Sequence, residues 1–316
     1  MNSPIRIGTR GSALALRQTE QVRSALTRRW RGLQMEIRVF KTTGDRVQGQ
    51  PLPRVGTQGI FTQELEVALL GGEIDVAVHS LKDLPTEMPA GLTIHAIGER
   101  VCPLDALVTR EGATLRDLEP GSVIGTSSLR RRAQILHHRP DLRIVNLRGN
   151  LDTRLRKVKE SGTLDGAILA CAGLQRLGLS DEIAEILDSQ IMLPSPGQGA
   201  LAIQGRTNDS EIEKLLAPLE CRATRAAVTA ERGLMRRLGG GCHIPIGGLG
   251  TVDDSVLSLE AGVFTLDGTK TMRQTLTGDP DRAEAVGIEL AERLLAEGAS
   301  EILGTCGQES QDLSWQ

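Results

Sequence analysis

The chain has 316 residues, a length for two or three compact units. A net charge of −3, 2% aromatic residues and no tyrosine speak against a nucleic-acid binder, which needs a basic surface or a stacking platform. No apolar run is long enough to span a bilayer, and Met1-Asn2-Ser3-Pro4-Ile5-Arg6 lacks the plan of a signal peptide, so a cytoplasmic protein is expected.

Ile5 to Gly8 reads as a strand, followed by Thr9-Arg10-Gly11-Ser12 and a helix from about Ala13 to Trp30. A second strand covers Met35 to Phe40, and Gly49 to Gly59 is a Gly/Pro-rich loop. A helix over Phe61 to Leu70 and strands over Ile74 to Val78 and Leu92 to Ile97 complete a first α/β unit with a parallel-type sheet. The pattern then restarts. Strands are expected over Asp105–Thr109, Val123–Gly125, Arg143–Leu147 and Gly166–Ala170, with helices over Leu129–His137 and Asp152–Glu160. Met192 to Gly199 is a Pro/Gly linker leading back toward the first unit. From about Glu220 the style changes to an arginine-rich helix (Ala223 to Leu238), three alternating strands and a last helix, an α+β unit. No internal repeat stands out.

Five cysteines, odd in number and never in a C-x-x-C pair, argue against a disulfide framework and a thiolate metal site. A special cysteine here is a nucleophile or an attachment point. Cys171, inside the apolar run Ala167 to Ala172, reads as a small core residue. Six of the 37 basic residues are lysine and the rest arginine. Guanidiniums beside glycine-rich strand ends can grip carboxylates bidentately. Three strand ends fit: Arg10-Gly11-Ser12, Thr126-Ser127-Ser128-Leu129-Arg130-Arg131, and Arg148-Gly149-Asn150 with Arg154 one turn on. Together they describe a cleft suited to a polycarboxylate or phosphate, because strand-to-helix turns add amide donors and the helix dipole. Nucleotide motifs and H-E-x-x-H are absent, so no metal is expected. Asp83, beyond a buried strand and beside Lys82, is suited to moving protons and stabilising a cation, or to making a turn before Pro85. Gly239-Gly240-Gly241 before Cys242 reads either as a hinge or as clearance around a thiol that bears a bulky group.

These segments, in order, resemble the porphobilinogen deaminase family over nearly the whole chain. The residues that carry the resemblance are Arg6–Ser12, His79–Pro85, Gly125–Arg131, Leu147–Asn150, Ala172–Gly178, Gly197–Ala200 and Gly240–Cys242. It implies two α/β domains of the periplasmic-binding-protein kind plus a smaller C-terminal α+β domain. Domain 1 would be residues 1–98 and 198–217, domain 2 residues 99–197, and domain 3 residues 218–316.

The resemblance also implies a transferase that condenses porphobilinogen, a small-molecule substrate, on a dipyrromethane cofactor held by Cys242 as a thioether. Asp83 would be catalytic, bonding pyrrole N–H groups and stabilising the cation left by ammonia. Lys82, Thr126, Ser127, Ser128, Arg130 and Arg131 would bind the cofactor. Arg10, Ser12, Arg148, Arg154, Arg176 and Gln198 would bind substrate. A monomer with no membrane or nucleic-acid partner is expected. The chain departs from the family at Gln58 and Gln63, where lysines are usual. A non-catalytic two-lobed anion binder would account for the arginines, though not for the third domain or Gly241-Cys242.

Overall fold

The computed structural model describes residues 3–42, 62–239 and 244–304. The chain divides into two compact units, Met1–Val101 with Gly199–Arg225 and Cys102–Gln198 with Ala226–Gln316. The first opens with β1 (Ile5–Arg10), α1 (Ala13–Arg29), β2 (Met35–Phe40), α2 (Gln63–Leu70), β3 (Val76–Ser80) and β4 (Leu92–Ile97). The second begins with β5 (Asp105–Thr109), β6 (Val123–Gly125), α3 (Leu129–His138), β7 (Arg143–Val145) and α4 (Leu151–Glu160). It continues through β8 (Gly166–Ala170), α5 (Cys171–Arg176) and β9 (Glu185–Leu187). The chain returns to the first unit through β10 (Leu201–Arg206) and α6 (Ser210–Leu216). Helix α7 (Arg222–Arg237) leads to β11 (Ile246–Asp253), β12 (Val256–Phe264), β13 (Thr271–Gly278) and α8 (Ala283–Ala296).

The first sheet has the order β2-β1-β3-β10-β4 and the second β7-β6-β8-β5-β9. In the first, β1 runs parallel to β2 and β3, and β10 runs antiparallel to β3 and β4. In the second, β6 runs parallel to β7 and β8, and β5 runs antiparallel to β8 and β9. The two sheets therefore share one plan, with a reversed strand in fourth place. In the first sheet this adds one reversed strand, β10, to the parallel-type sheet expected there. β5 and β10 are buried along almost their whole length. Burial on both faces leaves no alternation that could report a strand's sense, so that sense is invisible in the sequence.

Each sheet buries both faces. In the first, Ile5, Ile7, Val76, Val78 and Ile203 pack with Val22 and Leu26 of α1, while Ala77 packs with Leu65 and Leu69 of α2. In the second, Leu107, Ile124 and Ile168 meet Ile135 of α3, and Val108, Ala167 and Leu169 meet Leu155 and Val158 of α4. Each buried Leu or Ile contributes about 1.5–3 kcal/mol, so these faces hold the strand ends rigidly. The third sheet, β11-β12-β13, is antiparallel and packs Leu257, Leu259 and Val263 against Leu234 of α7 and Leu290 and Leu294 of α8. This smaller α+β part is the one expected.

The segment after β9 is tied down by α3. Leu193 donates its amide to Gln134 Oε1 (2.8 Å) and accepts from Gln134 Nε2 (3.1 Å). The third sheet presses on the same residue, since a Cβ added at Gly247 would lie 2.5 Å from Leu193 Cβ. Only glycine lets β11 approach this closely.

Candidate active site

In the first unit the carboxyl ends of β1 and β3 emerge on one edge, because the strands are parallel and in register (Ile7 with Val76, Gly8 with Ala77). β1 ends at the half-buried Arg10, and Ser12 caps α1 by accepting the Ala15 amide at 3.3 Å. β3 ends in a 3-10 turn, Leu81–Asp83. The Leu81 amide bonds Ala200 O (3.0 Å), the Leu84 amide bonds Leu81 O (3.1 Å), and both leucines are buried. Asp83 is exposed on this clamped turn and Lys82 is half-buried.

One residue before β3 ends, His79 is 5% exposed. Burial pushes its pKa down to about 4, an effect opposed by a hydrogen bond with Gln204 and reinforced by the charge of Arg10. The imidazole is therefore neutral at physiological pH.

In the second unit, Thr126 Oγ1 accepts the Ser128 amide (3.1 Å), Ser127 Oγ lies 2.6 Å from both Asn146 Oδ1 and Leu147 O, and Ser128 Oγ accepts the Arg131 amide (3.4 Å), capping α3. Arg130 and Arg131 in the first turn of α3 are 5% and 6% exposed. They converge on Asp105, which is fully buried at the head of β5. Arg130 Nη1 lies 2.8 Å from Oδ2, and Arg131 donates Nε (3.1 Å) and Nη2 (2.7 Å) to Oδ1. Gln198 is buried and donates Nε2 to the same Oδ1 (2.9 Å) and to Pro103 O (2.8 Å).

Burial alone would raise the Asp105 pKa, but the charges and hydrogen bonds of Arg130 and Arg131 outweigh it. They hold the carboxyl well below the usual carboxylate range. The sequence reading missed Asp105. Its only signal is a charged residue opening the buried strand Ala106-Leu107-Val108.

Arg148 and Gly149 form the turn before α4, where Arg154 Nε donates to Gly149 O (2.8 Å) and Lys157 Nζ to Arg148 O (3.1 Å). Arg176, at the end of α5, is buried, which pushes its pKa down to about 10 and leaves it charged at neutral pH. Thus Arg130, Arg131 and Gln198 come together on Asp105, while Arg148 and Arg154 share the α4 turn and Arg10, Ser12, Lys82 and Asp83 belong to the first unit. Gln63 is exposed as the first residue of α2, whereas Cys242 and Gln58 lie outside the described residues. No helix among the described residues is long and apolar enough to cross a membrane.

Two five-stranded sheets of one plan, each with a serine-capped helix and arginines near its strand ends, define an α/β protein. The chain belongs to the porphobilinogen deaminase family. Residues 5–214 match "Porphobilinogen deaminase, dipyromethane cofactor binding domain", and residues 225–296 match "Porphobilinogen deaminase, C-terminal domain". Relatives named porphobilinogen deaminase include one from Pelotomaculum thermopropionicum, 47% identical over 98% of this chain and 99% of its own length. Another, from Syntrophobacter fumaroxidans, is 48% identical over 95% and 96%. Among solved structures, the Bordetella pertussis BvgS VFT2 domain is 18% identical with a TM-score of 0.38, over 67% of this chain and 84% of that one. The Escherichia coli periplasmic aliphatic sulphonate binding protein SsuA is 14% identical with a TM-score of 0.37, over 75% and 70%.

The chain is thus an enzyme of tetrapyrrole synthesis with porphobilinogen as its small-molecule substrate and dipyrromethane as its cofactor. The donor set fits a cofactor whose pyrroles bear carboxylates. Two buried guanidiniums face one buried carboxylate, so this cluster carries a surplus positive charge.

Proposed function

We propose that the chain is a transferase that joins four porphobilinogen molecules head to tail on a dipyrromethane held by Cys242, releasing ammonia at each addition and finally, by hydrolysis with one water, hydroxymethylbilane. The observation that carries this reading is Asp83, exposed on a turn clamped by two buried leucines, at the sheet edge where Arg10 also emerges. When bound, dipyrromethane supplies the electron-rich pyrrole carbon from which the product grows.

Asp83 accepts hydrogen bonds from pyrrole N–H groups and keeps a negative charge near the substrate cation left when ammonia departs. It then accepts the proton released as the carbon–carbon bond forms. In the first unit, Lys82 binds a cofactor carboxylate, and Arg10 and Ser12 bind substrate carboxylates. In the second, Thr126, Ser127, Ser128, Arg130 and Arg131 hold the cofactor, and Arg148, Arg154 and Arg176 hold substrate. Gln198, read from the resemblance as substrate-binding, donates its amide to Asp105 and Pro103 and so borders the arginine pair as well.

We read the three sheets as three domains, residues 1–98 with 198–217, 99–197, and 218–316, in a cytoplasmic monomer. The scattered, odd set of cysteines supports a reducing compartment. Intact mass tests the whole reading. The purified chain should exceed its polypeptide mass by two linked pyrroles, and Cys242→Ser should not. A chain that weighs only its polypeptide as purified, and still does after porphobilinogen is added, would reject it.

A further inference from the structure

Building on the function just proposed, we infer that Asp105 is a positioning residue: it gathers Arg130 and Arg131 into a pair set in advance for the cofactor's carboxylates. Consecutive residues of a helix point about 100° apart, so α3 alone would send these two side chains in different directions. Their guanidiniums nevertheless meet at one carboxylate, one at each oxygen, 2.8 Å and 2.7 Å away.

Each is also pinned to a backbone carbonyl of another segment. Arg131 Nη1 donates to Ile168 O (2.8 Å) in β8, and Arg130 Nη1 donates to Leu193 O (2.7 Å). Gln198 in turn fixes the carboxylate at 2.9 Å. Two long side chains thus lose their freedom on folding, before any ligand arrives, and that entropy is not charged against binding.

Charge points the same way. Without Asp105 two buried guanidiniums would repel, and with it they carry one surplus positive charge. A carboxylate from outside completes the balance. Asp105 never touches the reacting atoms and acts through the arginines.

The test uses the full chain made in cells unable to form porphobilinogen, so that it starts without cofactor. Porphobilinogen is then added and covalent loading is followed by intact mass, alongside the melting temperature. Asp105→Asn should load on the order of tenfold more slowly, because the guanidiniums are no longer preset. If that variant fails to fold, Asp105→Glu decides. It keeps the charge but moves the carboxylate by one methylene, and it too should load slowly.

Loading of both variants at the wild-type rate would overturn the inference, even if they melt lower, because that is the mark of a purely structural charge. Adding Asp105→Asn to the double variant Arg130→Gln/Arg131→Gln should slow loading no further than that double variant alone, and a further loss would likewise overturn it. A wild-type chain that never gains mass would reject the deaminase reading itself, and this inference with it.

Discussion

Ser12 and Ser128 occupy equivalent places in the two five-stranded sheets. Each follows the second strand of its sheet, β1 or β6, and caps the next helix by accepting the amide three residues on, at 3.3 Å from Ala15 and 3.4 Å from Arg131. The same cap opens two different helices. After Ser12 come Ala13 and Leu14, whereas after Ser128 come Leu129, whose side chain joins the core of the third sheet, and the arginine pair.

Removing either cap should therefore cost stability by a similar amount. Ser12→Ala and Ser128→Ala are each expected to lose about 1 kcal/mol in urea unfolding. Ser128→Ala should slow cofactor loading more than Ser12→Ala does, since its helix carries Arg130 and Arg131. Equal loading in the two variants would show that the arginines are placed independently of the cap.

Asp83→Asn keeps the size of the side chain and removes its charge. The turn is held by Leu81 and Leu84, and the side chain is exposed, so the melting temperature should not move. Covalent cofactor should still be present by mass. Turnover should fall by about 10²–10⁴-fold, the usual worth of a positioned acid–base group. Normal turnover would remove Asp83 from the chemistry.

His79 makes stability depend on mild acid. Its folded pKa of about 4 lies below the ordinary 6.5, so the unfolded chain takes up a proton first as pH falls. The contribution is complete above about pH 6.5 and is lost progressively down to about pH 4. Between pH 7 and 5 the wild-type chain should lose about 2 kcal/mol through this group alone. His79→Gln lacks the proton uptake, so its unfolding free energy should fall less over that interval. Parallel pH dependences would show that His79 is accessible to protons in the folded chain.

Where the sequence was informative, the signal was local. β4, β5, β6 and β8 lie where apolar runs between turn residues put them, and α3 and α4 are within a residue or so of their expected ends. β3 runs two residues later than expected, through His79 and Ser80, because polar side chains read as loop although β10 pairs with both. The strand sense of β5 and β10 was illegible because burial on both faces leaves no alternation to orient. Arg10, Ser12, Asp83 and the Thr126–Arg131 segment stand out in the sequence by residue types suited to anions, and the structure sets them at or just beyond strand ends. Asp105 does not stand out, since a carboxylate 25 residues before Arg130 is brought to it only by the pairing of β5 with β8. The shared plan of the two sheets is likewise held by burial pattern rather than by residue identity.

Gly149 makes the turn that carries Arg148 and Arg154, and both its conformation and its surroundings demand glycine. Its φ is +117°, where a side chain is strained, and an added Cβ would lie 2.8 Å from Thr153 Cγ2. Gly149→Ala should lower stability by about 1–3 kcal/mol. Because Gly149 O is the acceptor of Arg154 Nε, the shifted turn should also disturb that bond and with it the placing of the guanidinium. The Michaelis constant for porphobilinogen should then rise more than turnover falls, since the arginine binds carboxylates rather than moving protons. Adding Thr153→Ser removes the colliding methyl but leaves the φ strain, so the double variant should recover only part of the lost stability. Full recovery would assign the whole effect to the collision. No recovery would assign it to the backbone, and an unchanged Michaelis constant in Gly149→Ala would detach Arg154 from substrate binding.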